Sequence, residues 1–189
     1  MKINIETRIS DIGKEVIKKA NVYKFKTSSL PDLNDYKTDI RTDSNFIELF
    51  KELDSRKQNC IYWFSLGNEK EADLINSCLD DNRKKLKQGL RVVPPKNKNA
   101  KSKTLYVGIR RGGVRKRDLL SNISGRIIQH LGYYEKGSTQ GLQLIHWVKN
   151  ERDVTFYLNV VELVDIPNEY LNVIEEIVAY LLKPLCGQH

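Results

Sequence analysis

The chain has 189 residues, 40% of them hydrophobic, with 32 Lys/Arg against 24 Asp/Glu and a formal net charge of +8. That length suits one domain with a sizeable core, and the composition is that of an ordinary soluble globular protein. No run reaches the roughly 18 apolar residues that would span a membrane. The N-terminal stretch MKINIETRISDIGKE is mixed in charge and holds no apolar signal core, so export is not expected. Cys60, Cys78 and Cys186 are odd in number and form no close pair, which suggests neither a disulfide framework nor a zinc site. A reducing cytoplasm is the expected compartment.

In chain order, Ile3, Ile5, Ile9, Ile12, Val16 and Ile17 predict a short strand and then a helical face. Residues 27–43, with Pro31 and several Asp, Asn and Ser, read as a connection. Phe46, Leu49, Phe50 and Leu53 keep the helical period and predict a helix over about 44–55. Cys60 to Phe64 is rich in β-branched and aromatic residues and predicts a strand ended by Gly67-Asn68. A helix over about 69–87 follows, stopped by Gly89. Pro94-Pro95 and KNKNAKSK predict a mobile loop.

A strand is predicted at about 103–108, and a helix from about Asp118 to Leu131 that buries Leu119, Leu120, Ile123, Ile127 and Leu131. Gly132 ends it. Residues 142–147 fit either a strand or a short helix. Phe156 to Val164 predicts a strand, and 168–182 a helix closed by Lys183-Pro184. The sum is an α+β fold, with a small, largely antiparallel three-stranded central sheet flanked by helices and additional N-terminal helical elements. Residues 1–57 form an N-terminal helical extension packed on a core domain of 58–189, which carries a basic insertion at about 68–103.

The charge is uneven. From Arg83 to Arg117 there are fourteen Lys/Arg and no Asp/Glu, while the remainder carries eighteen basic and twenty-four acidic residues. Such a block predicts contact with a polyanion, with Arg110, Arg111, Arg115, Lys116 and Arg117 within the 104–131 segment as the phosphate-binding group. Gly112-Gly113 can offer backbone donors, but no GxxxxGK[ST] loop is present and no nucleotide cofactor is expected. Arg126 and His130 stand four apart and project from one helix face. On the last helix, Glu175 lies between Leu171, Val178 and Leu182, nearer the core edge than Glu176, and a carboxylate there needs a cation, a donor or a metal.

Taken together, Cys60-Ile61-Tyr62, Tyr106-Val107-Gly108, Arg126-x-x-x-His130, Glu175 and Pro184 resemble, in that order, the motifs of the GIY-YIG endonuclease family. The resemblance covers residues 58–187. It implies Tyr62 and Tyr106 as the two motif tyrosines, Gly108 as the motif glycine, Arg126 as the catalytic arginine, His130 as the helix histidine and Glu175 as the metal-binding glutamate. The family glutamate often stands nine residues before a proline, as Glu175 does before Pro184. Cys60 replaces the first glycine, and 43 residues separate the two tyrosines where the family has a short hairpin. The family's lysine or similar group after the second glycine is displaced, with Arg110 and Arg111 as candidate substitutes.

The resemblance implies hydrolysis of DNA phosphodiester bonds, with double-stranded DNA as partner, a homodimer for double-strand cutting, and restriction, repair or mobile-element roles. Mg²⁺, replaceable by Mn²⁺, would sit on Glu175, Arg126 would bind non-bridging oxygens, and Tyr62 would position or deprotonate the water. Tyr106 would bond water or phosphate, and His130 would assist proton transfer or hold the phosphate. Two other functions fit the same residues: a non-catalytic nucleic-acid-binding module on this fold, and a protein-interaction domain with an acidic partner for the basic block.

Overall fold

A computed structural model describes residues 4–34, 37–99, 101–116, 118–134, 140–150 and 153–188. Helix α1 (Ile5–Lys18) is capped by the Asn4 side chain, which accepts from Thr7 N–H at 3.2 Å. Strand β1 (Asn21–Lys26) follows, then α2 (Ile47–Ser55), β2 (Asn59–Leu66) and α3 (Glu69–Gln88). The second half holds β3 (Thr104–Arg110), α4 (Asn122–Leu131), β4 (Thr155–Leu163) and α5 (Leu171–Leu182). Residues 142–147 resolve into a 3₁₀ turn, Leu144–His146.

The sheet has four strands, not three, in the order β1-β4-β2-β3, with antiparallel neighbours throughout. The added strand is β1, which lies N-terminal to residue 57 and joins the sheet edge beside β4. Alternation explains it: Tyr23 and Phe25 turn inward, Phe25 stacking on Phe156 at 5.6 Å, while Val22, Lys24 and Lys26 face out. The apolar stretch from Ile5 is helical from its start, so the strand follows that helix instead of preceding it.

Helices cover both faces of the sheet. Tyr62 and Phe64 of β2 pack with Phe50 and Leu53 of α2, Ile75 and Leu79 of α3, and Ile123 and Ile127 of α4. Ile61 and Trp63 point the other way, onto Leu171 and Val178 of α5, with Val16 and Ile17 of α1 behind. At Gly13 a Cβ would lie 2.7 Å from Ile177 Cγ2, so the missing side chain sets how closely α1 meets α5.

Helix α4 starts at Asn122, not near Asp118. Asp118 pairs with Arg115 at 2.9 Å, and Leu119 takes φ 55° and is exposed, so these residues form a turn. The cap is Ser121, whose Oγ accepts from Ser124 N–H at 3.2 Å and donates to Leu53 C=O at 2.7 Å. Ser121→Ala should therefore destabilise the fold by about 0.5–2 kcal/mol, since the cap is lost together with one of the two bonds at the Leu53 carbonyl, which keeps Arg56 N–H at 3.2 Å. Urea denaturation measures this, and an unchanged midpoint would refute the capping role.

The 94–99 segment is tied down. Asn97 N–H donates to Leu185 C=O at 2.7 Å and Gly187 N–H to Pro95 C=O at 2.9 Å. Leu185 and Cys186 N–H donate in turn to Thr104 and Leu105 C=O on the β3 edge, at 2.9 and 3.0 Å. Among the described residues, no helix is long and apolar enough to cross a membrane.

Candidate functional site

The β3 edge is where the two helical layers meet. Tyr62 on β2 pairs across the ladder with Gly108 on β3. A Cβ at Gly108 would lie 2.7 Å from both Tyr62 Oη and Tyr106 Cε1, so glycine leaves the space that the two phenols fill. Their ring centroids are 6.2 Å apart, and Tyr106 lies 4.8 Å from the His130 ring.

Arg126, half-buried on α4, joins them. Its Nε donates to Tyr62 Oη at 3.0 Å and its Nη2 to Tyr106 Oη at 3.5 Å. Its Nη1 donates to Gln140 C=O at 2.6 Å and to Gln129 Oε1 at 3.3 Å. All four acceptors are neutral, so these bonds orient the guanidinium without cancelling its charge. Arg110 at the end of β3 feels that charge: burial first, then Arg126, pulls its pKa below the ordinary arginine value. Two cations held near each other favour an anion between them.

His130 is fully buried. Its Nδ1 accepts from Leu142 N–H at 3.2 Å, so a neutral ring carries its proton on Nε2, which faces Tyr62 Oη at 2.9 Å and donates to it. Tyr62 Oη thus accepts from both Arg126 and His130. Burial pushes the Tyr62 pKa well up, with Tyr106 adding to the rise and Arg126 opposing it. The same burial, with Arg126 second, holds the His130 pKa well below its ordinary value.

A cavity of about 220 Å³ opens beside Tyr106, lined also by Pro94, Gln140, Asn172, Glu175, Glu176 and Gln188. Glu175 is half-buried and Glu176 exposed. The Glu175 charge raises the pKa of both phenols, which places its carboxylate within electrostatic reach of them. Of the five residues expected to form the site, Tyr106 and Glu175 line this cavity. Arg126 binds both tyrosines, while Tyr62 and His130 lie behind it, fully buried.

Arg111 and Lys116 are exposed. Arg115 is committed to Asp118 and lies so close over Gly125 that a Cβ there would clash. Arg117 lies outside the described residues. The two loop glycines spend their N–H groups within the chain: Gly112 on Asn59 Oδ1 at 2.9 Å and Gly113 on Lys57 C=O at 2.8 Å. Sequence reasoning missed Gln140, Asn172 and Gln188. Only Asn172 carried a signal, three residues before Glu175 on the same helix face.

Among the described residues, no group of three His, Cys, Asp or Glu could hold a metal ion. A cavity with two carboxylates, Glu175 and Glu176, and amide side chains around them fits a hard cation that keeps most of its waters, which is the habit of Mg²⁺. No family model, curated protein or solved structure matches the chain.

The buried histidines make stability pH-dependent. Burial and the Arg91 charge lower the His146 pKa to about 4, and His130 is also held well down. An unfolded histidine protonates near about 6.5, so below that pH the unfolded chain binds more protons and the fold loses stability as pH falls. His130 should contribute up to about 1.4 kcal/mol per pH unit, and the partly solvated His146 less. Melting temperature followed from about pH 7 to 5 should fall, and His130→Gln should flatten that fall. An equally steep fall in the variant would refute the assignment.

Proposed function

We propose that the protein is a metal-dependent DNA endonuclease that hydrolyses phosphodiester bonds. What carries this reading is Arg126, held by two phenols beside a cavity that Glu175 lines. Its fork is oriented by neutral acceptors and keeps its charge for a phosphate. Tyr106, at the cavity wall, donates its hydroxyl proton to a phosphate oxygen or orients the attacking water. Tyr62 receives two donors and so keeps Arg126 Nε in place from behind. Glu175 would hold Mg²⁺, with Mn²⁺ as substitute. When bound, the ion supplies charge compensation at phosphorus and at the leaving oxygen.

Arg110, Arg111, Lys116 and the exposed lysines Lys98, Lys101 and Lys103 would meet the DNA backbone, giving salt-dependent affinity without sequence reading. A reducing cytoplasm suits the buried Cys60 and Cys186, whose thiols burial keeps protonated.

The test is cleavage of supercoiled plasmid and linear duplex with Mg²⁺ or Mn²⁺, beside Glu175→Ala and an EDTA control. Cutting by the wild type alone, and only with metal, supports the reading. If neither protein cuts but both bind DNA equally, the chain is a nucleic-acid-binding module on this fold. The complete burial of Tyr62 and His130 favours that second reading.

A further inference from the structure

Residues 140–143 form a strap against α4, and its backbone reaches the candidate site twice. Gln140 C=O takes Arg126 Nη1, and Leu142 N–H takes His130 Nδ1. Between them, Gly141 N–H donates to Val92 C=O at 3.0 Å, and a Cβ on Gly141 would lie only 2.9 Å from Gln129 C=O. The strap is pressed onto the helix.

Gln143 closes it at φ 57°, a left-handed conformation that non-glycine residues seldom adopt, with its side chain buried. Such a conformation persists where its surroundings fix it. Here the fixing group is Arg91, 7% exposed, whose Nη1 donates to Gln143 Oε1 at 2.9 Å and to Tyr134 C=O at 3.3 Å. Arg91 N–H donates to Leu86 C=O at 2.9 Å, which anchors the residue at the end of α3. One buried guanidinium thus ties α3 to both ends of the connection that leaves α4.

We infer that Arg91 is a positioning residue of the candidate site: by pinning Gln143 it keeps Leu142 N–H on His130 and Gln140 C=O on Arg126. Its consequence for cleavage rests on the endonuclease reading; its consequence for His130 does not. The groups facing His130 are Tyr62 from β2, Tyr106 from β3, Arg126 from its own helix and the Leu142 amide from the strap. Only the amide requires an unprotonated Nδ1. With the strap released, Nδ1 is open to a proton, the tautomer is no longer fixed, and the ring titrates at higher pH.

The experiment is ¹⁵N-histidine NMR across pH on the whole protein, with Arg91→Met, Arg91→Lys and Gln143→Asn, beside circular-dichroism melts and DNA cleavage. Asparagine tolerates the left-handed backbone but withdraws the oxygen from Arg91. In the wild type, His130 should show a single Nε2–H tautomer. In Arg91→Met and Gln143→Asn it should become a tautomer mixture that titrates at higher pH, with kcat down about 10- to 100-fold and KM little changed. Arg91→Lys should recover part of both. An unaltered His130 tautomer and titration in folded Gln143→Asn would overturn the inference, even if Arg91→Met does not fold. Shifted His130 signals in a protein that never cuts DNA would leave the inference standing and remove the endonuclease reading.

Discussion

If the protein is the endonuclease proposed above, Arg126→Lys should give a folded protein that cuts DNA about 10²–10³-fold more slowly than the wild type, mainly through kcat. Lysine keeps the charge but is a point donor on a flexible stem. Its three N–H groups would all be spent on Tyr62, Tyr106 and Gln140, whereas the Arg126 fork bonds these and Gln129 and still has one Nη2 N–H for a phosphate. On the same reading, binding to uncleaved duplex should change little, since it assigns most of the backbone contact to the exposed basic residues. Single-turnover cleavage beside a filter-binding assay separates the two effects. Wild-type cleavage in Arg126→Lys would mean that the fork has no part in the reaction.

Gly108→Val should damage both the fold and the candidate site. Its Cβ would enter space held by Tyr62 Oη and Tyr106 Cε1, each 2.7 Å away, and both rings are constrained by packing. Overpacking of this kind costs about 1–3 kcal/mol, and here the rings that move also orient Arg126. Cleavage should therefore fall further than stability. Gly108→Ala should show a smaller form of both losses. Thermal melts and cleavage rates on both variants test this, and a fully active Gly108→Val would show that the phenols need not be where they are.

The sequence makes three of the four strands readable. The β2 and β4 segments are long apolar runs bounded by turn residues, and β3 is flanked by a basic loop on each side. Strand β1 hides because an edge strand needs only one buried face: Tyr23 and Phe25 alternate with lysines, and no turn dipeptide marks its start. The start of α4 is not legible because Asp118 is as good a cap by type as Ser121; the choice falls to the bond from Ser121 Oγ to the Leu53 carbonyl, a contact across the fold that no local pattern shows. The Arg126–His130 spacing and the Glu175 helix face are local periodicities and could be read. The bonds from Gln140 and Leu142 are made by backbone, which any residue type supplies, so no pattern announces them.

The strand order has a kinetic consequence. Strand β4 lies between β1 and β2, and Tyr62 faces Val160, 98 positions later, as its ladder partner. Until β4 arrives, β1 has no partner at all and β2 has only β3. Loop-closure entropy makes such distant pairings slow. The β2–β3 hairpin-like pair, with Tyr62 and Tyr106 on it, can form early, but the sheet closes around it last. Refolding should therefore be limited by the docking of Thr155–Leu163, and the half-formed sheet would expose two unpaired edges while it waits.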